Sequence, residues 1–280
     1  MLASFAELLH EHNRQGSALG AFTCYNFETA TAVTQAAQRY PGGIILLISE
    51  KSFASTHGSY LVAALRGIAE QTPTHVCLQL DHVSDLRQIE AAFKLGVGAV
   101  MADGSRLPFE ENIAFTREAV DIARRYGGHV EAELGRIEGD EDIAAAAQSG
   151  ALSDPQQAAY FIEQTAPACL AVSIGNAHGV YHYPPVLDWE RLQHVRQRIA
   201  TPLSLHGASG LADSDLQRAI ALGISKINVN TELRETFLGV VSDKLHAVKP
   251  GSRLLDLEIA LIESLARVAD AKLQVYRKPQ

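Results

Sequence analysis

Eight short aliphatic runs alternate with helix-period segments almost end to end, and this alternation constrains the fold more than any other feature. The runs occupy 19–23, 44–48, 75–80, 99–102, 129–134, 169–174, 202–205 and 226–229. Between them, apolar residues recur with helical spacing at 29–39, 60–70, 85–95, 110–126, 155–164, 188–198 and 213–222. Strands separated by helices pair in parallel, because a tight hairpin can only reverse the chain. A run such as Ile44-Ile45-Leu46-Leu47-Ile48 is apolar at every position, as suits a strand covered on both faces. Eight consecutive strand–helix units predict a (β/α)8 TIM barrel, and 280 residues suit one barrel of about 250 residues with little left over. The expectation is a single domain over 1–280, with an extra C-terminal helix near 254–273 that either pads the barrel or meets another subunit. Helix starts are marked by Ser153-Asp154-Pro155 and by the acids Asp213 and Asp215.

Composition narrows the function classes. Hydrophobic residues make up 47% and charged residues 20%, which supplies ample core, and the net charge of −8 argues against nucleic acid as the main partner. No apolar run approaches the roughly 18–20 residues that span a bilayer, so no membrane association is expected. The opening residues lack the charged region and long apolar stretch of a secretory leader. Cys24, Cys77 and Cys169 are odd in number, widely spaced and without a C-x-x-C pair. They read as buried, inert thiols in a reduced, cytoplasmic setting.

Enzymes on this barrel place their chemistry at the carboxyl ends of the strands. At that rim stand His82, His178 and His206, each just beyond a strand run. Three neutral imidazoles with an open fourth position make a catalytic rather than a structural zinc site. Asp81, Asp103, Glu131, Glu133 and the segment Asn228-Val229-Asn230-Thr231 share the rim. His10, His12, His57, His75, His129, His194 and His246 read as surface or satisfied core residues, and His182 as structural. The turn His206-Gly207-Ala208-Ser209-Gly210 can aim backbone N–H groups at a phosphate with the Ser209 hydroxyl beside them, although a plain tight turn explains its glycines as well. Phosphate sites in these barrels commonly follow strands seven and eight, where both segments lie. Lys226 falls within the last strand without a phase that clearly points it inward, so no buried lysine is assigned to Schiff-base chemistry.

Taken together, Leu80-Asp81-His82, Val130-Glu131-Ala132-Glu133-Leu134-Gly135, Ile174-Gly175-Asn176-Ala177-His178-Gly179, Leu205-His206-Gly207-Ala208-Ser209-Gly210 and Lys226-Ile227-Asn228-Val229-Asn230-Thr231-Glu232 resemble the class II, zinc-dependent ketose-bisphosphate aldolases, with the tagatose-bisphosphate branch nearest in look. The resemblance runs from about Gly20 to Leu273 with the motifs in the family's order. It implies reversible aldol cleavage of a phosphorylated ketose, a tagatose or fructose 1,6-bisphosphate or a related ketose 1-phosphate, to dihydroxyacetone phosphate and an aldehyde.

By the same resemblance, His82, His178 and His206 bind Zn2+, Glu133 serves an alternate metal position, Asp81 protonates the aldehyde oxygen during condensation, and Glu141 exchanges the proton of the three-carbon enolate. Asn26, Ser49, Gly179, Gly207, Ala208, Ser209, Asn228, Val229, Asn230 and Thr231 match the groups that hold substrate and phosphate, near which members often hold a monovalent cation, Na+ or K+. A homodimer or homotetramer is implied as well. The chain departs from the pattern at Thr23, at Ser49-Glu50-Lys51-Ser52, where Glu50 would repel a phosphate and Lys51 attract it, at Val83 and at Asn230. Two other readings compete. A zinc barrel hydrolase would carry a His-x-His pair on an early strand, and His10-Glu11-His12 is not so placed. A non-catalytic companion subunit of an aldolase complex would have no reason to keep the three histidines with Asp81 and Glu141.

Overall fold

The computed structural model describes residues 1–137, 151–179, 181, 185–245 and 254–277. In chain order the elements are α1 (Phe5–Gln15), β1 (Leu19–Thr23), α2 (Phe27–Ala37), β2 (Ile44–Ser49), α3 (Glu50–Ala54), α4 (Gly58–Gln71), β3 (Val76–Val83), α5 (Leu86–Lys94), β4 (Ala99–Ala102), α6 (Phe109–Arg125), β5 (His129–Leu134), α7 (Pro155–Thr165), β6 (Cys169–Val172), α8 (Trp189–Arg198), β7 (Leu203–Leu205), α9 (Asp213–Ala221), β8 (Ile224–Val229), α10 (Thr231–Leu245) and α11 (Leu254–Val275). Each strand pairs in parallel with the next, and β8 returns to β1 in the register Leu19↔Lys226 through Phe22↔Val229, closing the barrel. The eight predicted strands are all present. The third is longer than its apolar run suggested, reaching Val83, and the sixth is shorter, stopping at Val172.

Successive strand side chains point to opposite faces, so the barrel divides its residues between the helical coat and the interior. Outward residues such as Leu80, Val100, Ala132, Leu170 and Val172 pack with the helices into one large core. Inward residues of the lower half, Leu19, Ala21, Ile45, Leu47, Cys77, Ala99 and Cys169, form a second, separate cluster. That cluster is completed by Phe5, Leu8 and Leu9 of α1, which plugs the amino-terminal mouth. The sequence reading left α1 unassigned. Burying each of these large side chains stabilises the fold by about 1.5–3 kcal/mol. All three cysteines are buried and free, and burial pushes the Cys77 thiol up to about 12.

The C-terminal helix α11 presents Leu261, Leu265, Ala269 and Leu273 as a buried stripe with four-residue spacing, and it packs mainly on α2 and α10. This stripe pads the barrel. Asp154 caps α7 by accepting from the Gln156 and Gln157 N–H groups at 2.9 and 2.8 Å, with Pro155 in the first turn. Ala212 precedes α9 without a side-chain cap, leaving Asp213 and Asp215 to act through the helix dipole. Among the described residues no helix is long and apolar enough to cross a membrane.

Candidate active site

Asp81 and His82 are adjacent on β3 and in a regular strand would face opposite sides. The register between β3 and β4 slips between Leu80 and Val83, and His82 has φ +49°. A left-handed backbone at a non-glycine residue is strained and persists only where its surroundings enforce it. Here the irregularity turns both side chains toward the carboxyl end of the barrel.

The three predicted histidines meet there. Ring centroids lie 4.9 Å apart for His82–His178 and for His82–His206, and 6.0 Å apart for His178–His206. One nitrogen of each lies within 4.8 Å of the others. Carboxylates fix two of the rings: Asp103 Oδ2 is 2.9 Å from His82 Nδ1, and Glu131 Oε1 is 2.9 Å from His206 Nε2. With those nitrogens donating, the neutral rings turn lone pairs toward each other, His82 Nε2 and His206 Nδ1 being only 2.9 Å apart, with Asn228 Nδ2 3.1 Å from the latter. Facing lone pairs repel, and a shared cation removes the conflict. This donor set therefore fits a metal, with each carboxylate setting the tautomer of its ring. Burial, reinforced by the neighbouring rings, holds His178 well below the usual histidine range, and burial with the Lys226 charge lowers His206, so both favour the neutral ligand form.

A second group, His82, Asp103 and Glu133, also has the spacing to hold an ion. Glu133 Oε1 accepts the Ile137 N–H at 3.0 Å and its Oε2 lies 3.7 Å from His82 Nδ1. Burial and the nearby Asp103 charge push Glu133 up to about 8. Asp81 is 1% exposed, accepts from Asn228 Nδ2 at 3.1 Å through Oδ2, and makes no hydrogen bond through its buried Oδ1 among the described residues.

Directly beneath the rim lies a polar layer in which Glu131, expected at the rim, sits with Gln79, Ser204 and Lys226, to which the sequence pattern gives no role. Glu131 is fully buried and accepts from Gln79 Nε2 at 2.6 Å, Ser204 Oγ at 2.5 Å and Lys226 Nζ at 2.8 Å, besides His206. Burial opposes the Glu131 charge, but the Lys226 ammonium and the His206 contact outweigh it and hold the carboxyl well below its usual range. Lys226 points fully inward, a direction its strand phase leaves open. Burial opposes its charge too, and the Glu131 and Asp81 carboxylates prevail and keep it an ammonium. Gln79, Glu131, Ser204 and Lys226 stand two residues before Asp81, Glu133, His206 and Asn228 on their strands. Period-two spacing below a rim residue is the signal that could have found them.

Two loops close over this layer. Asn176 Nδ2 donates to the His206 carbonyl at 2.9 Å, and the Tyr181 hydroxyl accepts from Ala177 N–H at 2.8 Å while donating to the Gly207 carbonyl at 2.8 Å. Gly207 has φ +60°, and a Cβ there would sit 2.2 Å from the Ala177 carbonyl oxygen, so no other residue fits. On one side of the histidines is a cleft lined by Gly179, Gly207, Ala208, Ser209, Asn230 and Thr231. On the other is a cavity of about 310 Å³ lined by Ser49, Lys51, Asp81, His82, Arg106 and Arg136 among others.

The family model for class-II fructose-bisphosphate aldolases matches residues 3–278. The chain belongs to this family. Members are metal-dependent aldolases, and the chain is accordingly a lyase. It is similar to the YdjI aldolase of Escherichia coli K12, with 31% identity, a TM-score of 0.87, and 99% and 97% of the two chains covered. A protein from Coccidioides immitis described as a candidate fructose-1,6-bisphosphate aldolase shares 27% identity and a TM-score of 0.89, covering 97% of this chain and 95% of that one. A fructose-bisphosphate aldolase of Campylobacter jejuni, 19% identical, shares the fold with a TM-score of 0.80 over 98% of this chain and 95% of its own.

Several residues matched to the aldolase family by sequence lie elsewhere than expected. Asn26 lines neither pocket, and its Oδ1 caps α2 by accepting from Thr29 N at 2.9 Å and Thr29 Oγ1 at 2.8 Å. Ser49 caps α3 through Ser52 N and lines the larger cavity with Asp81 and His82 rather than the smaller cleft. Glu50, expected to repel a phosphate, accepts from Ser84 N at 3.2 Å and lines that same cavity beside Lys51. The Val229 side chain belongs to the outer core, so only its backbone faces the site. Glu141 lies outside the described residues, as do His182 and His246.

Proposed function

We propose that this aldolase reversibly cleaves a ketose 1-phosphate or 1,6-bisphosphate to dihydroxyacetone phosphate and an aldehyde, with zinc as its metal. The observation that carries the reading is the meeting of His82, His178 and His206 beside the unbonded Oδ1 of Asp81, with a cleft on one side and a larger cavity on the other. Zinc held by the three histidines would supply a Lewis acid for the oxygen that gains charge as the carbon–carbon bond breaks. Glu133 offers the alternate metal position.

The chain's own residues do the rest. Gly179, Gly207 to Ser209 and Asn228 to Thr231 cradle the phosphate, with the amino-terminal end of α10 facing the anion. Asp81 carries the proton of the aldehyde-side oxygen through Oδ1, and its burial keeps bulk water from competing. Glu141 exchanges the proton on the triose carbon. Sugar carbons beyond the cleaved bond occupy the larger cavity. A monovalent cation beside the phosphate belongs to the same reading. So does a homodimer or homotetramer, supported by the exposed Leu238 and Leu245 of α10 and Leu254, Leu255 and Ile259 of α11. A reduced, cytoplasmic setting is supported by the free buried cysteines.

The test is a panel of phosphorylated ketoses assayed for triose phosphate release. Chelation should abolish release, zinc should restore it, and borohydride with substrate should trap no lysine adduct, because Lys226 is held as an ammonium. Release that survives exhaustive chelation, or a trapped lysine, overturns the reading.

A further inference from the structure

Lys226 lies at the centre of the barrel, yet nothing in the aldol chemistry above uses it. Its Nζ is 2.8 Å from Glu131 Oε2 and 2.6 Å from Asn228 Oδ1. An ammonium only donates, so the atom of Asn228 that faces it must be the amide oxygen. The ambiguity that normally attends an asparagine's orientation is thereby removed. Nδ2 of Asn228 is turned to the other side, 3.1 Å from Asp81 Oδ2 and 3.1 Å from His206 Nδ1.

We propose that Lys226 is a positioning residue: it orients the Asn228 amide, which in turn holds Asp81 by Oδ2 and leaves Oδ1 directed at substrate. This rests on the role given to Asp81 above. Without the lysine the Asn228 amide can rotate about its last torsion. With its oxygen no longer held by a donor, the side chain can leave the rotamer that presents Nδ2 to Asp81, and Oδ2 loses that bond. The acid would leave its productive rotamer although no group touching substrate had been altered. A buried ion pair such as Lys226–Glu131 is weak grounds for stability, since apolar pairs of similar volume often serve as well, and orientation accounts for its presence here.

Zinc-loaded Lys226→Met and Glu131→Gln/Lys226→Met proteins test this, the second removing both charges of the buried pair so that neither is left without its partner. Two rates are compared in each: triose phosphate release from the best ketose phosphate, and exchange of the dihydroxyacetone phosphate C–H hydrogen with deuterated water. Exchange needs enolate formation but no proton at an aldehyde oxygen, so Asp81 takes no part in it. At full zinc occupancy both variants should lose about 10²-fold in cleavage and keep exchange near the parental rate, the double variant needing more zinc to fill because the carboxylate on His206 is gone. Cleavage at the parental rate in either variant overturns the proposal, and recovery in the double variant alone would mean that Lys226 only neutralises Glu131. An equal fall in both rates overturns it too, because the lysine would then support the metal centre as a whole. A parent that neither releases triose phosphate nor exchanges would instead sink the aldolase reading itself.

Discussion

The two halves of the barrel interior are built from opposite chemistry on the same strands. Below, Leu19, Ala21, Ile45, Leu47, Cys77, Ala99 and Cys169 close on the α1 plug in a mainly apolar cluster, with His129 stacked on Phe5 and hydrogen-bonded to Ser4 at its foot. Above, Gln79, Glu131, Ser204 and Lys226 form a buried polar tier that supports Asp81, His206 and Asn228. The same strands cross from one half to the other within a few residues, as Cys77, Gln79 and Asp81 do on β3. The lower half earns stability from area removed from water. The upper half spends some of it, since each buried polar group must find a partner to offset its desolvation. Changes in the two halves should therefore separate folding from turnover.

The largest effect is expected from Asp81→Ala, which should retain zinc and fold while slowing cleavage by about 10²–10⁴-fold; unchanged turnover at full zinc occupancy removes Asp81 as the acid. Next, Glu131→Ala strands Lys226 without its counter-charge and takes the acceptor from His206. A loss of about 3–5 kcal/mol in urea unfolding is expected together with weaker zinc binding. Glu131→Gln should do much less to folding, and equal losses for the two would mean the ion pair is incidental. Leu47→Ala, in the apolar half, should lower stability by about 2–5 kcal/mol, with kcat per folded molecule unchanged below the melting range. A Leu47→Ala protein that stays stable but turns over slowly would break the division between the halves. Smallest is Ala21→Ser, whose hydroxyl finds no partner among these side chains and should cost about 1–3 kcal/mol. A neutral result would show that the lower half tolerates polarity.

Much of this was legible in the sequence, and the reason is periodic. Aliphatic runs at 44–48 and 99–102 read as strands because both faces of each are covered, and the histidines read as rim residues because each follows such a run. The direction of Lys226 is undecidable from β8 alone, whose residues are all buried. Comparison with Gln79, Glu131 and Ser204, each two residues before a rim group, restores its direction. The α1 plug escaped notice because nothing local distinguishes a helix that caps a barrel from one that coats it. Asn26 and Ser49 match groups that hold substrate or phosphate in the family, and the fold adds that each also caps a helix, α2 and α3, while Ser49 lines the larger cavity. Such a local cap is invisible before the backbone is drawn.

The contact between Gly207 and the Ala177 carbonyl carries one more consequence. With no room for even a methyl group between them, and the Tyr181 hydroxyl bonded to both, these two backbones are pinned to each other at that point. His178 and His206 each adjoin the pinned contact and His82 stands on β3, so folding itself brings the three imidazoles together before any sugar arrives.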